Sequence, residues 1–168
     1  MGHLSGVIGQ KLEVISHLSV GIKMKLEELR IYQASMKVGD LIWEQTASWD
    51  FFAKDTVGKQ WVRAADSIAA NISEGYGRYH FKENRSFLFY ARGSLSETKT
   101  WLKKAYRREL IAEKIYQAIL SELENLAPQL NSYIRSIGSK QNMVQEPQEI
   151  YGTSVDSDFV TDHSLNDQ

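Results

Sequence analysis

Two sets of polar side chains hold the chemistry that this sequence can offer. The first is basic. Arg85, Arg92, Lys99, Lys103 and Arg107 recur at four- and seven-residue steps, a spacing that lines one side of an α-helix turning about 100° per residue. Phe89 sits on the flank of that line, and Arg78 and Lys82 lie just upstream among Tyr76, Tyr79 and His80. Cations interleaved with aromatic rings suit phosphate contacts combined with base stacking. The same pattern also describes a solvated helix face, partly neutralised by Glu83, Glu97 and Glu109. Arg78, Lys82, Arg85, Arg92, Lys99, Lys103 and Arg107 are therefore the candidate nucleic-acid contacts.

The second set is mixed in character. Gln60, Arg63, Ser67, Asn71 and Glu74 follow one another at three- and four-residue steps, and Glu97 flanks the apolar arc of the next segment. Amide, hydroxyl, guanidinium and carboxylate groups in one line fit a partly buried hydrogen-bond network that sets helix register. They equally fit a subunit interface or a ligand site. Asn71 and Glu74, three residues apart, are placed to share a partner on a neighbouring helix.

Catalysis and metal binding find little to work with. A bundle-type di-iron centre needs two Glu-x-x-His motifs and two further glutamates. Of the four histidines, His3, His17 and His163 lie in the terminal segments, and His80 stands with Glu83 in the reverse order. There is no cysteine, so a thiol nucleophile, a thiolate metal site and a disulfide framework are all excluded. Ser94 falls on an apolar helix face, where a small hydroxyl permits close packing. Gly75-x-Gly77 follows no strand, and His80 stands where the third glycine of a phosphate loop would be. The expectation is a non-enzymatic protein with no metal and no cofactor.

The elements that must position these residues are helical. Residues 60–74 carry Trp61, Val62, Ala65, Ile68, Ala69 and Ile72 on one arc, and Gly75 is placed to end the helix in the left-handed conformation. A third helix, from about Lys82–Asn84 to Arg108, has Phe87, Tyr90, Ala91, Ser94, Leu95, Thr98, Trp101, Leu102 and Ala105 on one side. A first helix runs from Leu29 or Ile31 to Ala47, with Gly39 inside it at a cost of roughly 1 kcal/mol. Residues 48–54 read as an aromatic connection lidding the bundle end, with Asp55 as the cap of the second helix. Residues 109–112 form a turn. The fourth helix places Ile115, Ile119, Leu123, Leu126, Leu130, Tyr133 and Ile137 at helical steps, with a kink expected at Pro128 and closure at Gly138. Short links between four such helices favour an all-α, antiparallel up-down-up-down bundle.

Composition sets the surroundings. The chain has 168 residues, 42% of them hydrophobic and 24% charged, which suits one soluble domain with tail to spare. Residues 1–24 read as an N-terminal extension, residues 25–138 as the bundle domain and residues 139–168 as an acidic, disordered tail. That tail holds Lys140 against six carboxylates, a net charge of −5, while residues 1–138 carry +4. A mildly basic body can hold nucleic acid weakly, and an acidic tail competes for the same surface. No apolar run approaches the roughly 20 residues of a membrane span, and a cytoplasmic location is expected.

The run RAADSIAANISEGYGR, followed by F-x-x-x-ARGSLSE, resembles the four helix bundle protein family, some of whose members are encoded in intervening sequences of 23S ribosomal RNA genes. The matching positions are Arg63, Ala64, Ala65, Ser67, Ile68, Asn71, Ile72, Glu74, Gly75 and Arg78, then Phe87, Ala91, Gly93, Ser94, Leu95 and Glu97. The resemblance covers roughly residues 26–138. It implies a ring-like homo-oligomer, pentamers being the characteristic assembly. It also implies kinship with the accessory variability proteins of diversity-generating retroelements, basic bundles that associate with nucleic acid and a reverse transcriptase. The expected function is thus an oligomeric bundle binding RNA or a ribonucleoprotein through a basic helix face. The alternative is a structural protein-interaction scaffold without nucleic-acid affinity.

Overall fold

A computed structural model describes residues 24–143; nearly all of the expected N-terminal extension and most of the acidic tail lie outside the described residues. Four helices account for almost all of what is described: α1 (Arg30–Ala47), α2 (Lys59–Gly77), α3 (Phe81–Arg107) and α4 (Glu113–Met143). Each packs on its neighbour in the chain, and α1 also packs on α4. With short connections at residues 78–80 and 108–112 and a longer, partly helical one at residues 48–58, this closes an antiparallel up-down-up-down four-helix bundle. Among the described residues there is no strand, and no helix is long and apolar enough to cross a membrane.

The core follows the 3.6-residue period. Val38 and Ile42 from α1, Trp61, Ile68 and Ile72 from α2, Leu88, Leu95 and Leu102 from α3, and Leu123, Leu126 and Leu130 from α4 are buried together. Each such side chain contributes about 1.5–3 kcal/mol relative to exposure. The hydroxyls on α1's buried face are satisfied within the helix: Ser35 donates to the Ile31 carbonyl at 2.7 Å and Thr46 to that of Ile42 at 3.0 Å. On α3 the buried arc is rotated from the one expected. Asn84 and Leu88 are buried and Phe87 only half-buried, whereas Tyr90 is 61% exposed.

Several helix ends differ from expectation for local reasons. Asp50, not Asp55, caps the second helical stretch, its Oδ1 accepting the Ala53 amide at 3.0 Å. One α-helical turn, Phe51–Ala53, and a π-helical segment, Lys54–Gly58, then lead into α2. The exposed Phe51 and Phe52 lid nothing; Trp49 covers the bundle end instead, stacked 6.0 Å from Trp61. Gly75 does not terminate α2, which continues to Gly77. A β-carbon on Gly75 would lie 2.9 Å from the Asn84 carbonyl oxygen, so its role is to let α2 and α3 approach.

At the other end, Glu109 takes φ 58°. Its amide bonds the Tyr106 carbonyl at 2.9 Å, and the Leu110 amide bonds that of Ala105 at 3.0 Å. This is a Schellman cap with a glutamate where glycine is usual. Helix α4 runs through Pro128, which is exposed, and past Gly138 to Met143.

Candidate nucleic-acid interface

The basic line forms a strip on the edge of α3 that faces α4. Arg85 and Arg92 flank one ring, with guanidinium carbons 5.4 and 4.8 Å from the Phe89 ring centroid. Seven residues make almost two turns, so the two arginines stack on a ring set between them. Arg85 also rests against α4, where Gly138 leaves room: a β-carbon there would sit 3.4 Å from the Arg85 guanidinium carbon. Lys99 is half-buried and Lys103 exposed further along the strip. No carboxylate lies within 4.0 Å of the charged nitrogens of these four residues among the described residues.

The other expected contacts are not gathered there. Arg78 pairs with Glu74 one turn earlier on α2, and its guanidinium lies 4.8 Å from the Phe87 ring. It therefore belongs to the α2–α3 edge. Lys82 and Arg107 are exposed on α3, but about 40–100° further round the helix than the four strip residues. Lys104, which the basic line omits, covers the Trp101 ring at 4.3 Å. Tyr79 and His80, edge to face at 5.0 Å, are exposed in the α2–α3 turn.

The mixed polar line is stitched mainly along its own helix. Ser67 donates to the Arg63 carbonyl and Asn71 to the Ser67 carbonyl, each at 2.7 Å. Asn71 also reaches Ser94 Oγ on α3 at 3.5 Å, a weak contact by length. Gln60 is half-buried, whereas Arg63 is exposed. Glu97 is turned away from this line and accepts the Trp101 indole N–H at 3.2 Å. The residues thus form one helix edge rather than one buried network.

A groove between α1 and α2 has no counterpart among the sequence expectations. Tyr32, Met36 and Asp40 of α1 face Asp66, Ala69 and Ser73 of α2, and a second hollow beside it is lined by Trp43, Val62, Arg63 and again Asp66. Met36 and Trp43 are 44% and 63% exposed; their seven-residue spacing was the available signal. Asp66 reaches towards Gly39, where a β-carbon would lie 2.8 Å from its Oδ1. Partial burial, and then the nearby Asp40 charge, raise its pKa above the ordinary carboxylate value. Among the described residues no three His, Asp or Glu side chains converge as metal ligands.

The fold and this arrangement define a helical-bundle protein with a basic–aromatic edge. The family model described as 23S rRNA-intervening sequence protein matches residues 27–132, and the chain belongs to that family. Among solved structures it is similar to a protein of unknown function from the S23 ribosomal protein family of Bacteroides thetaiotaomicron, at 24% identity and a TM-score of 0.57, over 62% of this chain and 98% of that one. That likeness concerns the fold. No curated protein matches the chain.

Proposed function

We propose that this protein is a non-enzymatic, cytoplasmic, oligomeric bundle that binds RNA or a ribonucleoprotein through the α3 edge facing α4. The observation that carries this reading is the Arg85–Phe89–Arg92 stack, continued by Lys99 and Lys103 and lacking carboxylate partners among the described residues. Guanidinium groups set over a ring keep donors free for phosphate oxygens, and the exposed edge of Phe89 offers a stacking surface. Changing Arg85, Arg92, Lys99 and Lys103 together to Gln should weaken binding to a structured RNA. Every phosphate interaction removed in this way should lower the slope of log affinity against log salt by roughly 0.7–0.9. Equal binding by parent and variant, or no binding by either at low salt, sinks the nucleic-acid reading and leaves the interaction scaffold.

Self-assembly is the second part of the reading, and the α1–α2 groove favours it. Met36 and Trp43 present apolar surface of the kind that marks association sites, with Arg63 of the mixed polar line bordering the hollow at Trp43. Family resemblance makes a pentamer the expected state. Light scattering on the full chain should report a mass several times 19.2 kDa, and a strictly monomeric species at tens of micromolar would remove the ring.

A further inference from the structure

The basic strip has a second candidate ligand in the chain itself. Residues 144–168 contain Glu146, Glu149, Asp156, Asp158, Asp162 and Asp167 and no lysine or arginine. The strip they would meet is cationic and without carboxylate neighbours among the described residues. Position adds to charge. Arg85 packs against Gly138, and α4 continues only to Met143, so the chain leaves the body beside the Arg85 end of the strip.

Length is also sufficient. A random coil of 25 residues, the length of this segment, would have a root-mean-square span of about 25–30 Å. From Arg85 to Lys103 the strip is about 27 Å long at 1.5 Å per residue. Tethering at such a distance gives an effective concentration of order millimolar, enough for weak charge pairing to hold the segment on the surface for much of the time.

We propose that residues 144–168 dock in cis on the α3 strip formed by Arg85, Arg92, Lys99 and Lys103, serving as its built-in polyanion. The carboxylates take the guanidinium donors that the Phe89 stack leaves open, Asp156 and Asp158 being separated by one residue so that both can engage in an extended chain. Any external polyanion then has to displace the tail, and its apparent affinity falls by the fraction of time the strip is covered. The contact is electrostatic and partly exposed, so salt weakens it.

The test needs no RNA, and so fails or succeeds separately from the function proposed above. The chain has no cysteine, so Ser157→Cys in the full-length protein gives a single site for a nitroxide label. At low salt the label should selectively reduce the amide signals of Arg85, Arg92 and Lys99 in a nitrogen–proton correlation spectrum. The reduction should disappear at about 0.5 M salt, where the Debye length falls to roughly 4 Å. It should also disappear when Asp156, Asp158 and Asp162 are changed to Asn, a variant that leaves the bundle untouched. Undiminished strip signals at low salt overturn the proposal, as does broadening that survives the Asn changes. Broadening seen only when label and isotope are carried by different chains overturns docking in cis.

Discussion

Replacing Gly75 by Ala tests whether the close approach of α2 and α3 at this glycine has been read correctly. The added carbon would lie 2.9 Å from the Asn84 backbone oxygen and 3.1 Å from both Asn84 Oδ1 and Phe87 Cβ. Two of these atoms are fixed to the α3 backbone, so relief requires α2 and α3 to separate by ~0.5 Å, an overpacking cost of about 1–3 kcal/mol. Alanine's better helix propensity returns about 1 kcal/mol. Gly93 isolates that second effect, because a β-carbon there meets nothing within 4 Å. The two variants should therefore differ by about 1–3 kcal/mol, with Gly93→Ala more stable than the parent. Gly39→Ala adds a third point. Its carbon would meet Asp66 Oδ1 at 2.8 Å, but that oxygen ends a flexible side chain that can swing aside, so this variant should fall near Gly93→Ala. Thermal unfolding followed by circular dichroism resolves the series, at about 3–5 °C per kcal/mol for a domain of this size. If Gly75→Ala melts no lower than Gly93→Ala, the steric reasoning is wrong.

Glu109→Gly should stabilise the fold by about 1 kcal/mol, since a left-handed conformation costs an L-residue roughly 1–2 kcal/mol that glycine avoids; an unchanged or lower denaturation midpoint would count against the Schellman assignment. Asp66, with its pKa raised by partial burial and by Asp40, binds its proton more tightly folded than unfolded. Its ionisation therefore lowers stability as pH rises from about the ordinary value of 3.8 through the folded value. Asp66→Asn should melt above the parent at pH 7, with the gap closing when both are measured below that window. Burial, and then the neighbouring Tyr76, push the Tyr133 phenol up to about 12. Stability tied to the neutral phenol is lost between the ordinary value of 10.0 and about 12, and Tyr133→Phe should unfold at higher pH than the parent in an alkaline titration followed by circular dichroism.

Much of the architecture was legible because apolar spacing is a direct record of which helix side is buried. Ile119, Leu123, Leu126, Leu130 and Ile137 show this on α4. Helix ends were harder. Phe51 and Phe52 look like lid residues, yet they belong to a helical turn whose cap, Asp50, precedes them. The π-helical segment that follows shifts the phase between that turn and α2, which a uniform 100° step does not anticipate. Gly75 carries the residue type of a helix stop, but its use is set by Asn84 on another helix.

The strip illustrates the same limit. Residue spacing places Arg85, Arg92, Lys99 and Lys103 on one side of α3, but their nearness to α4 depends on inter-helix register. Gly138 has the residue type of a helix ending and serves as the floor beneath Arg85. The α1–α2 groove is hidden in the sequence because Met36 and Trp43 have the residue types of core material, and only the packed bundle distinguishes a core edge from an exposed rim.

The connections between helices bear on how the bundle assembles in time. Three of its four helix–helix seams join chain neighbours through turns such as residues 78–80 and 108–112. Those seams form at small loop-closure cost, and bundles rich in such local contacts fold in microseconds to milliseconds. The α1–α4 seam is the exception, since Lys37 and Glu122 meet at 2.7 Å across 85 residues. Closing it requires α2 and α3 to be in place already. It is therefore expected to be the last seam made and the first to open, with exchange of α1 amides outpacing that of α2 and α3. An α1 that lifts away in this manner bares Val38 and Ile42 while α2 and α3 stay paired, so the seam sets where transient unfolding exposes the core.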